Sequence, residues 1–378
     1  EKDIASWSAM IAGFAAHGLG IEALELFTAM KVCGFVPNAV TFLCALRACS
    51  CIEALEEGMF LHDQVNRLGL QSDEVVGSAL IDMYAKCGSL QGSVNVFKRL
   101  PHRDVVSWSA MISGYADQGQ GEVALALYLE MQSEGLKPSK VTFLSSLKAC
   151  IVMEGLSQGK LMHTQLIMYN HEHDMAVGNA LVDMYAKCGE VLEAEKVFTG
   201  LSERDTICWN ALIAGYAQHG EYEDALHCFK KMQLAGFFPD KITFLGMLQA
   251  CGNMGAADKG HEIHARMMRD GFMREDTVVG TTLVDMYANC GMLLEAQEVF
   301  NKLLVHDVVS WSALLDGYAQ LGEVEIVFKS FDKMMQEGKR PDSTILTILL
   351  NTCSHSGLLD KGEICFEIIS TRYDLYPT

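Results

Sequence analysis

The sequence predicts an all-α fold, an α-solenoid of 11 helix-turn-helix repeats with about 22 helices. Three observations predict it. The four tryptophans, Trp7, Trp108, Trp209 and Trp311, stand 101, 101 and 102 residues apart, each in the same local phrase. The first block so defined holds three unequal repeats, of 35, 35 and 31 residues, carrying SWSAMIAGF, TFLCALRAC and VVGSALIDMYAKCG. Each repeat, finally, reads as two short amphipathic segments, and a lone pair of such helices buries too little apolar surface to offset its ordering entropy. Neighbours must therefore stack into one continuous core.

In chain order, residues 1–3 match the end of a 31-residue repeat, and the array then runs 4–38, 39–73, 74–104, 105–139, 140–174, 175–205, 206–240, 241–276, 277–307, 308–342 and 343–378. In the first repeat Trp7, Ile11 and Phe14 fall on one helical face. Gly18 and Gly20 break that segment, and Ala23, Leu26, Phe27 and Met30 resume the period. Gly34, Pro37 and Asn38 stop the second helix, and comparable stops recur at 135–139, 236–240 and 338–342. The tryptophan phrase returns as SWSAMISGY, CWNALIAGY and SWSALLDGY; the second kind returns as TFLSSLKAC, TFLGMLQAC and ILTILLNTC; the third as AVGNALVDMYAKCG and VVGTTLVDMYANCG. The eleven repeats fill the chain, and both ends read as cuts in a longer parent.

Composition narrows the function classes. Half of the residues are apolar, yet no run of about 18 lacks breaks and charges, so no membrane span is expected. The cysteines invite a metal or disulfide reading, but Cys49, Cys150, Cys251 and Cys353 share one phase of the second repeat type, and Cys87, Cys188 and Cys290 share one phase of the third. That register, without any CxxC, describes small buried side chains in a reducing setting. His261 and His264 flank Glu262 at a ligand-like spacing, but His62, His163 and His264 share a phase and read as an array feature. His171 and His173 sit in a polar loop with Glu172 and Asp174, where solvation explains them, and Met83, Met184 and Met286 read as core. No triad elbow, phosphate loop or dinucleotide fingerprint is present. No catalytic residue, metal, cofactor or small-molecule substrate is expected.

What remains is a sparse polar set in fixed phase. Ser8, Ser78, Ser109, Asn179, Asn210, Thr281 and Ser312 occupy the fifth position of the first and third repeat types. Asn38, Asp104, Ser139, Asp205, Asp240, Asp307 and Asp342 close the same repeats. Helix capping and turn formation would account for such residues. One small polar side chain per repeat, lining one face, would equally serve to hydrogen-bond one base edge per repeat.

The phrases SWSAMI, ALELF, ALRAC, EEG, VGSALIDMYAKCG and VFKRLPHRD resemble, in order and in length, the P, L and S motifs of plant pentatricopeptide repeat proteins of the PLS subfamily, over all eleven repeats. The resemblance implies a right-handed superhelix that binds single-stranded RNA, one nucleotide per repeat, with N-terminal repeats toward the RNA 5′ side. It also implies a code. Serine or threonine at position 5 goes with purines and asparagine with pyrimidines; aspartate at the last position favours a keto edge and asparagine an amino edge. Ser8 with Asn38 then implies A, Ser78 with Asp104 implies G, and Asn179 with Asp205 and Asn210 with Asp240 each imply U. Thr281 with Asp307 and Ser312 with Asp342 each imply G, while Ser109 with Ser139 has no defined reading. Leu43, Leu144 and Leu245 place no hydrogen-bonding group at position 5 of the L repeats, and Thr347 of the last L repeat has no assigned base. The implied target is A-x-G-x-x-U-U-x-G-G-x.

By the same resemblance, the position-2 residues Ala5, Val75, Val106, Ala176, Ile207, Val278 and Val309 pack against base faces, the alanines less well. Lys86 and Lys187 serve the RNA backbone, and Asn289 replaces the third lysine, so backbone contact should weaken toward the C-terminal side. The formal net charge of −19 opposes nucleic-acid binding unless acids such as Glu22, Glu25, Glu53, Glu56 and Glu57 lie on the outer wall; a shallow salt dependence is expected. The closing CSHSGLLDKGEICFEI and YDLYPT resemble the L repeat that precedes the terminal domains of organellar editing factors, and the HxE with PCxxC deaminase signature is absent. The resemblance therefore implies the targeting part of a mitochondrial or plastid C-to-U editing factor, itself not an enzyme, with L repeats open to an editing cofactor protein. A role in organellar splicing or transcript stability, and a protein-binding scaffold, stand as alternatives.

Overall fold

The computed structural model describes residues 3–272, 276–358, 362 and 366. Among them the chain is helical without a strand, and it divides into two compact units, Glu1–Ser202 and Glu203–Thr378. In the first, α1 (Ile4–Ala16) and α2 (Gly20–Val32) form a hairpin, followed by α3 (Ala39–Cys51) and α4 (Leu55–Arg67), and by α5 (Glu74–Lys86) and α6 (Leu90–Arg99). Then come α7 (Val105–Asp117), α8 (Gly121–Ser133), α9 (Lys140–Val152), α10 (Leu156–Met168), α11 (Met175–Lys187) and α12 (Val191–Gly200). The second unit holds α13 (Thr206–Gln218), α14 (Tyr222–Leu234), α15 (Lys241–Met254), α16 (Ala257–Asp270), α17 (Thr277–Asn289), α18 (Leu293–Lys302), α19 (Val308–Gln320), α20 (Val324–Gln336) and α21 (Ser343–Ser356). The second helix expected in residues 343–378 falls largely outside the described residues.

Each odd-numbered helix opens on a side-chain cap that fills one of the orphan donors of its first turn. Asn38 Oδ1 accepts from Thr41 N at 2.9 Å, Asp104 Oδ1 from Ser107 N at 2.8 Å and Asp240 Oδ1 from Thr243 N at 2.9 Å. Helix ends are set by left-handed glycines such as Gly34, whose φ of 86° most side chains avoid.

Within each compact unit the odd-numbered helices stack on one another and the even-numbered helices pack behind them. Trp108, Trp311, Tyr128, Phe143 and Phe300 are among the largest fully buried side chains. Each buried aromatic of this kind contributes roughly 1.5–3 kcal/mol relative to exposure. The first helices approach closely where a glycine faces an alanine: a Cβ on Gly114 would lie 2.6 Å from Ala85 Cβ, and one on Gly317 would lie 2.6 Å from Ala288 Cβ.

Met83, Met184 and Met286 are fully buried, as are Cys49, Cys150 and Cys251. Burial pushes the thiols of these three cysteines up to about 12, which keeps them in the unreactive protonated form. Cys87, Cys188 and Cys290, at the ends of α5, α11 and α17, are only half-buried. The phased histidines are joints between successive repeats: Nδ1 of His62, His163 and His264 lies 2.8, 2.9 and 2.8 Å from the hydroxyls of Tyr84, Tyr185 and Tyr287. Burial lowers the pKa of all three.

Candidate functional site

The phased polar residues lie on the odd-numbered helices and at their N-caps, so the stacking of those helices collects them along one wall of each compact unit. In the first compact unit a single groove is lined by Val75, Ser78, Lys86, Asp104, Val106, Ser109 and Ser139, and by Arg47, Asp82 and Val141. A second, at its N-terminal end, is lined by Ala5, Ser8, Asn38 and Val40.

Position-5 side chains are largely withdrawn into the wall: Ser8, Ser78, Ser109, Asn179, Asn210 and Thr281 are buried, and Ser312 half-buried. Every last-position residue is the N-cap of the helix that follows: Asn38, Asp104 and Ser139 in the first compact unit, Asp205, Asp240, Asp307 and Asp342 in the second. The capping role weighed from the sequence is therefore real, and it leaves part of each side chain over. Asp240 shows how. Its Oδ1 caps α15, while Asn210 Nδ2 donates to Oδ1 at 2.9 Å and to Oδ2 at 3.0 Å. An ionised carboxylate only accepts, and it has more acceptor sites than the cap uses.

The other pairs differ. Ser78 Oγ reaches Asp104 Oδ1 at a long 3.4 Å. Ser8 contacts Thr41 Oγ1 at 3.1 Å, and that threonine in turn bonds Asn38 Oδ1 at 2.8 Å. Ser109 and Ser139 both meet Thr142 Oγ1, at 2.7 and 2.9 Å. The hydroxyls of Thr281 and Ser312 are buried and have no partner among the described residues. Asn179 lies on α11 in the first compact unit and Asp205 caps α13 in the second.

The position-2 residues are exposed: Val75 and Val278 each at 55%, Val106 and Val309 each at 62% and Ile207 at 65%. Ala5 and Ala176 are exposed too. Sequence reasoning missed three members of this row. Val40, Val141 and Ile242 occupy position 2 of the L repeats and are exposed to 54%, 56% and 61%. A β-branched apolar side chain so placed contributes nothing to the core, and its phase was readable from the repeat boundaries.

Lys86 and Lys187 lie on the wall but are already engaged, each paired at 2.9 Å with the carboxylate one turn earlier, Asp82 or Asp183. Two further cations share position 9 of the L repeats: Arg47, which lines the groove, and Lys148, paired with Asp117 at 2.5 Å. The third L repeat carries Gln249 there. In the second compact unit the equivalent positions hold Asp285 and Asn289. Burial, and next the Asp316 carboxylate, push the Asp285 carboxyl above the usual carboxylate range, against an opposing hydrogen bond from Asn289. The acids Glu22, Glu25, Glu56 and Glu57 are exposed on α2 and α4, and Glu53 is exposed in the turn before α4. Among the described residues no group of three or more His, Cys, Asp or Glu side chains is arranged to hold a metal, and no helix is long and apolar enough to cross a membrane.

Residues 2–51, 103–151, 204–253 and 306–355 match the PPR repeat family, and 78–105, 179–205, 242–272 and 281–308 match the PPR repeat. Among curated proteins, the whole chain is 35% identical over 377 residues to a pentatricopeptide repeat-containing protein of Arabidopsis thaliana, of which it covers 54%. It is 32% identical to a mitochondrial pentatricopeptide repeat-containing protein of the same plant, and 32% identical to a chloroplastic one, covering 55% and 46% of them. The chain thus spans about half the length of these relatives. Among solved structures it is similar in fold to the pentatricopeptide repeat protein PPR10 in complex with an 18-nt psaJ RNA element. The TM-score is 0.74 at 17% identity, over 98% of this chain and 61% of that one. For PPR10 from maize the TM-score is 0.67 at 19% identity, over 100% of this chain and 60% of that one.

Proposed function

Because the chain belongs to the PPR repeat family, the pentatricopeptide repeat proteins, we propose that it binds single-stranded RNA by one-repeat-one-base recognition, with A-x-G-x-x-U-U-x-G-G-x as its target. One observation carries the reading: along a single groove, exposed apolar residues alternate with polar pairs, in the order Val75, then Ser78 with Asp104, then Val106, then Ser109 with Ser139, then Val141. Apolar side chains at this spacing offer platforms for base faces, and the polar pair between two platforms meets the base edge. The chemistry of the pair fits the code. Asp240 is acceptor-only and takes the N–H that uracil and guanine present on their pairing edge, whereas an asparagine there would donate to the bare ring nitrogen of adenine or cytosine. Lys86, Lys187, Arg47 and Lys148 serve phosphates, and with Gln249 and Asn289 at the corresponding positions of the second compact unit a chain of net charge −19 would bind mainly through bases.

Within a longer parent, this array is the targeting part of an organellar C-to-U RNA editing factor. Support comes from the ordered P, L and S repeats and from relatives named mitochondrial and chloroplastic that are about twice as long as this chain. A titration at fixed salt tests the binding reading, with the target RNA against the same RNA carrying purines in place of both uridines. Preference for the first, lost in Asn179→Ser and Asn210→Ser, is the expected result. Absence of binding even at low salt would replace RNA by a protein ligand.

A further inference from the structure

We propose that Thr41, Thr142 and Thr243, the third residues of the first three L repeats, are positioning residues that aim the base-reading side chains of the P repeat before them. This inference rests on the RNA-binding reading. The three threonines are almost completely inaccessible, at 0%, 0% and 1% exposure, so they touch no ligand themselves. Each hydroxyl bridges both readers of the preceding repeat: Thr41 joins Ser8 and Asn38, Thr142 joins Ser109 and Ser139, and Thr243 joins Asn210 and Asp240.

Thr243 has a single hydroxyl proton to give. Its oxygen accepts from Asp240 N at 3.0 Å, and its single proton goes to the nearer of two acceptors, Asn210 Oδ1 at 2.6 Å rather than Asp240 Oδ1 at 3.0 Å. The carbonyl of the Asn210 amide is thereby held against the core. Its NH2 turns toward Asp240, which accepts one proton and leaves the other for a base oxygen. In the first repeat the Thr41 proton goes to Asn38 Oδ1 at 2.8 Å, so Ser8 donates to Thr41 and keeps its lone pairs for the base. The same residue that completes the helix cap therefore decides which hydrogen-bonding face the reader presents.

Where the third residue is not threonine, the bridge is missing. Ser107 and Ser310 turn their hydroxyls back to the carbonyls of Asp104 and Asp307, at 2.8 and 2.9 Å. Ser78 is left with a 3.4 Å contact, and Thr281 with no partner. After the last P repeat the third residue is Ile345, and the Ser312 hydroxyl has no partner among the described residues. Nucleotides opposite Ser8 and Asn210 should accordingly be read more sharply than those opposite Ser78, Thr281 and Ser312.

The test uses the full chain and synthetic single-stranded RNA A-x-G-x-x-U-U-x-G-G-x with cytidine at each x, together with versions in which only the seventh or only the sixth nucleotide is varied. Wild type should prefer uridine at the seventh position by on the order of tenfold. Thr243→Val should cut that ratio below about threefold while sparing the sixth position, and Thr243→Ser should do the same, because a serine there turns back to the preceding carbonyl as Ser107 and Ser310 do. Ile345→Thr, which supplies the missing hydroxyl, should sharpen selection of guanosine at the tenth position. An unchanged ratio at the seventh position in Thr243→Val, or equal losses at the sixth and seventh, overturns the positioning role and leaves a cap. Should Thr243→Val fail to fold, as its thermal melt would reveal, Thr243→Ser and Ile345→Thr carry the decision: retained selection in the first or an unaltered tenth position in the second overturns it. A wild type without selection at any position removes the base-reading function itself, before any variant is compared.

Discussion

Asn210 and Asp240 are 30 residues apart in sequence and share two hydrogen bonds, from Nδ2 to Oδ1 at 2.9 Å and to Oδ2 at 3.0 Å. The bonds couple the fifth position of one repeat to the cap of the next helix, so the reader of a base and the terminus of a helix are one structure. Asp240→Asn separates the two roles, because asparagine caps a helix as well as aspartate does. The melting temperature should stay within about a degree or two, while preference at the seventh nucleotide moves from uridine to cytidine by roughly tenfold. Competition binding with the two RNAs checks this, and an unmoved preference would leave Asp240 as a cap alone.

The exposed row at position 2 continues through the L repeats. Truncating Val40, Val141 or Ile242 to alanine should weaken binding by about 1 kcal/mol each, from lost apolar contact. The loss should be equal for target and mismatched RNA, since a base face carries no sequence information. A loss confined to the target would show that these residues select rather than support.

Position 13 of the S repeats holds Lys86 and Lys187, then Asn289. Asn289→Lys should add one phosphate contact to the second compact unit. Affinity should rise, and the slope of log K against log salt should steepen by about 0.7, the increment for one contact on a single strand. A salt series on both proteins measures it.

Asp285 carries a pH signature. Burial, with Asp316 next in effect, raises its pKa in the folded protein above the ordinary value of 3.8, so the folded chain holds this proton more tightly than the unfolded one. Stability therefore falls as pH rises through the window between the unfolded and folded pKa values, and returns on acidification. Asp285→Asn should raise the melting temperature near neutral pH and remove this part of the pH dependence. Parallel melts from about pH 4 to about pH 7 decide it; superimposable profiles would mean that Asp285 is not desolvated.

The same glycine position has two different environments. A Cβ on Gly114 meets Ala85 Cβ at 2.6 Å, whereas one on Gly13 has nothing within 4 Å. Gly114→Ala should cost about 1–3 kcal/mol by forcing α7 off α5, and Gly13→Ala should stabilise α1 by up to about 1 kcal/mol through helix propensity alone. Thermal unfolding of both variants provides the comparison, and equal effects would exclude close packing as the reason for Gly114.

The amino-acid sequence by itself determined the repeat architecture and the helices, because short periodic apolar faces punctuated by caps and glycines are local signals. Odd-numbered helices begin at Ile4, Ala39, Glu74 and onward to Ser343. It also supplied the phases of Ser8, Asn210 and Asp240, since a repeating position repeats its chemistry. Tertiary structure alone decided what those positions touch. That Lys148 reaches Asp117, that Asp316 faces Asp285, and that Thr243 joins Asn210 to Asp240 are consequences of one repeat docking on the next. Such contacts join residues about 30 apart, where no helical period links them, and each turns on an ångström-scale approach that the packing of neighbouring helices sets.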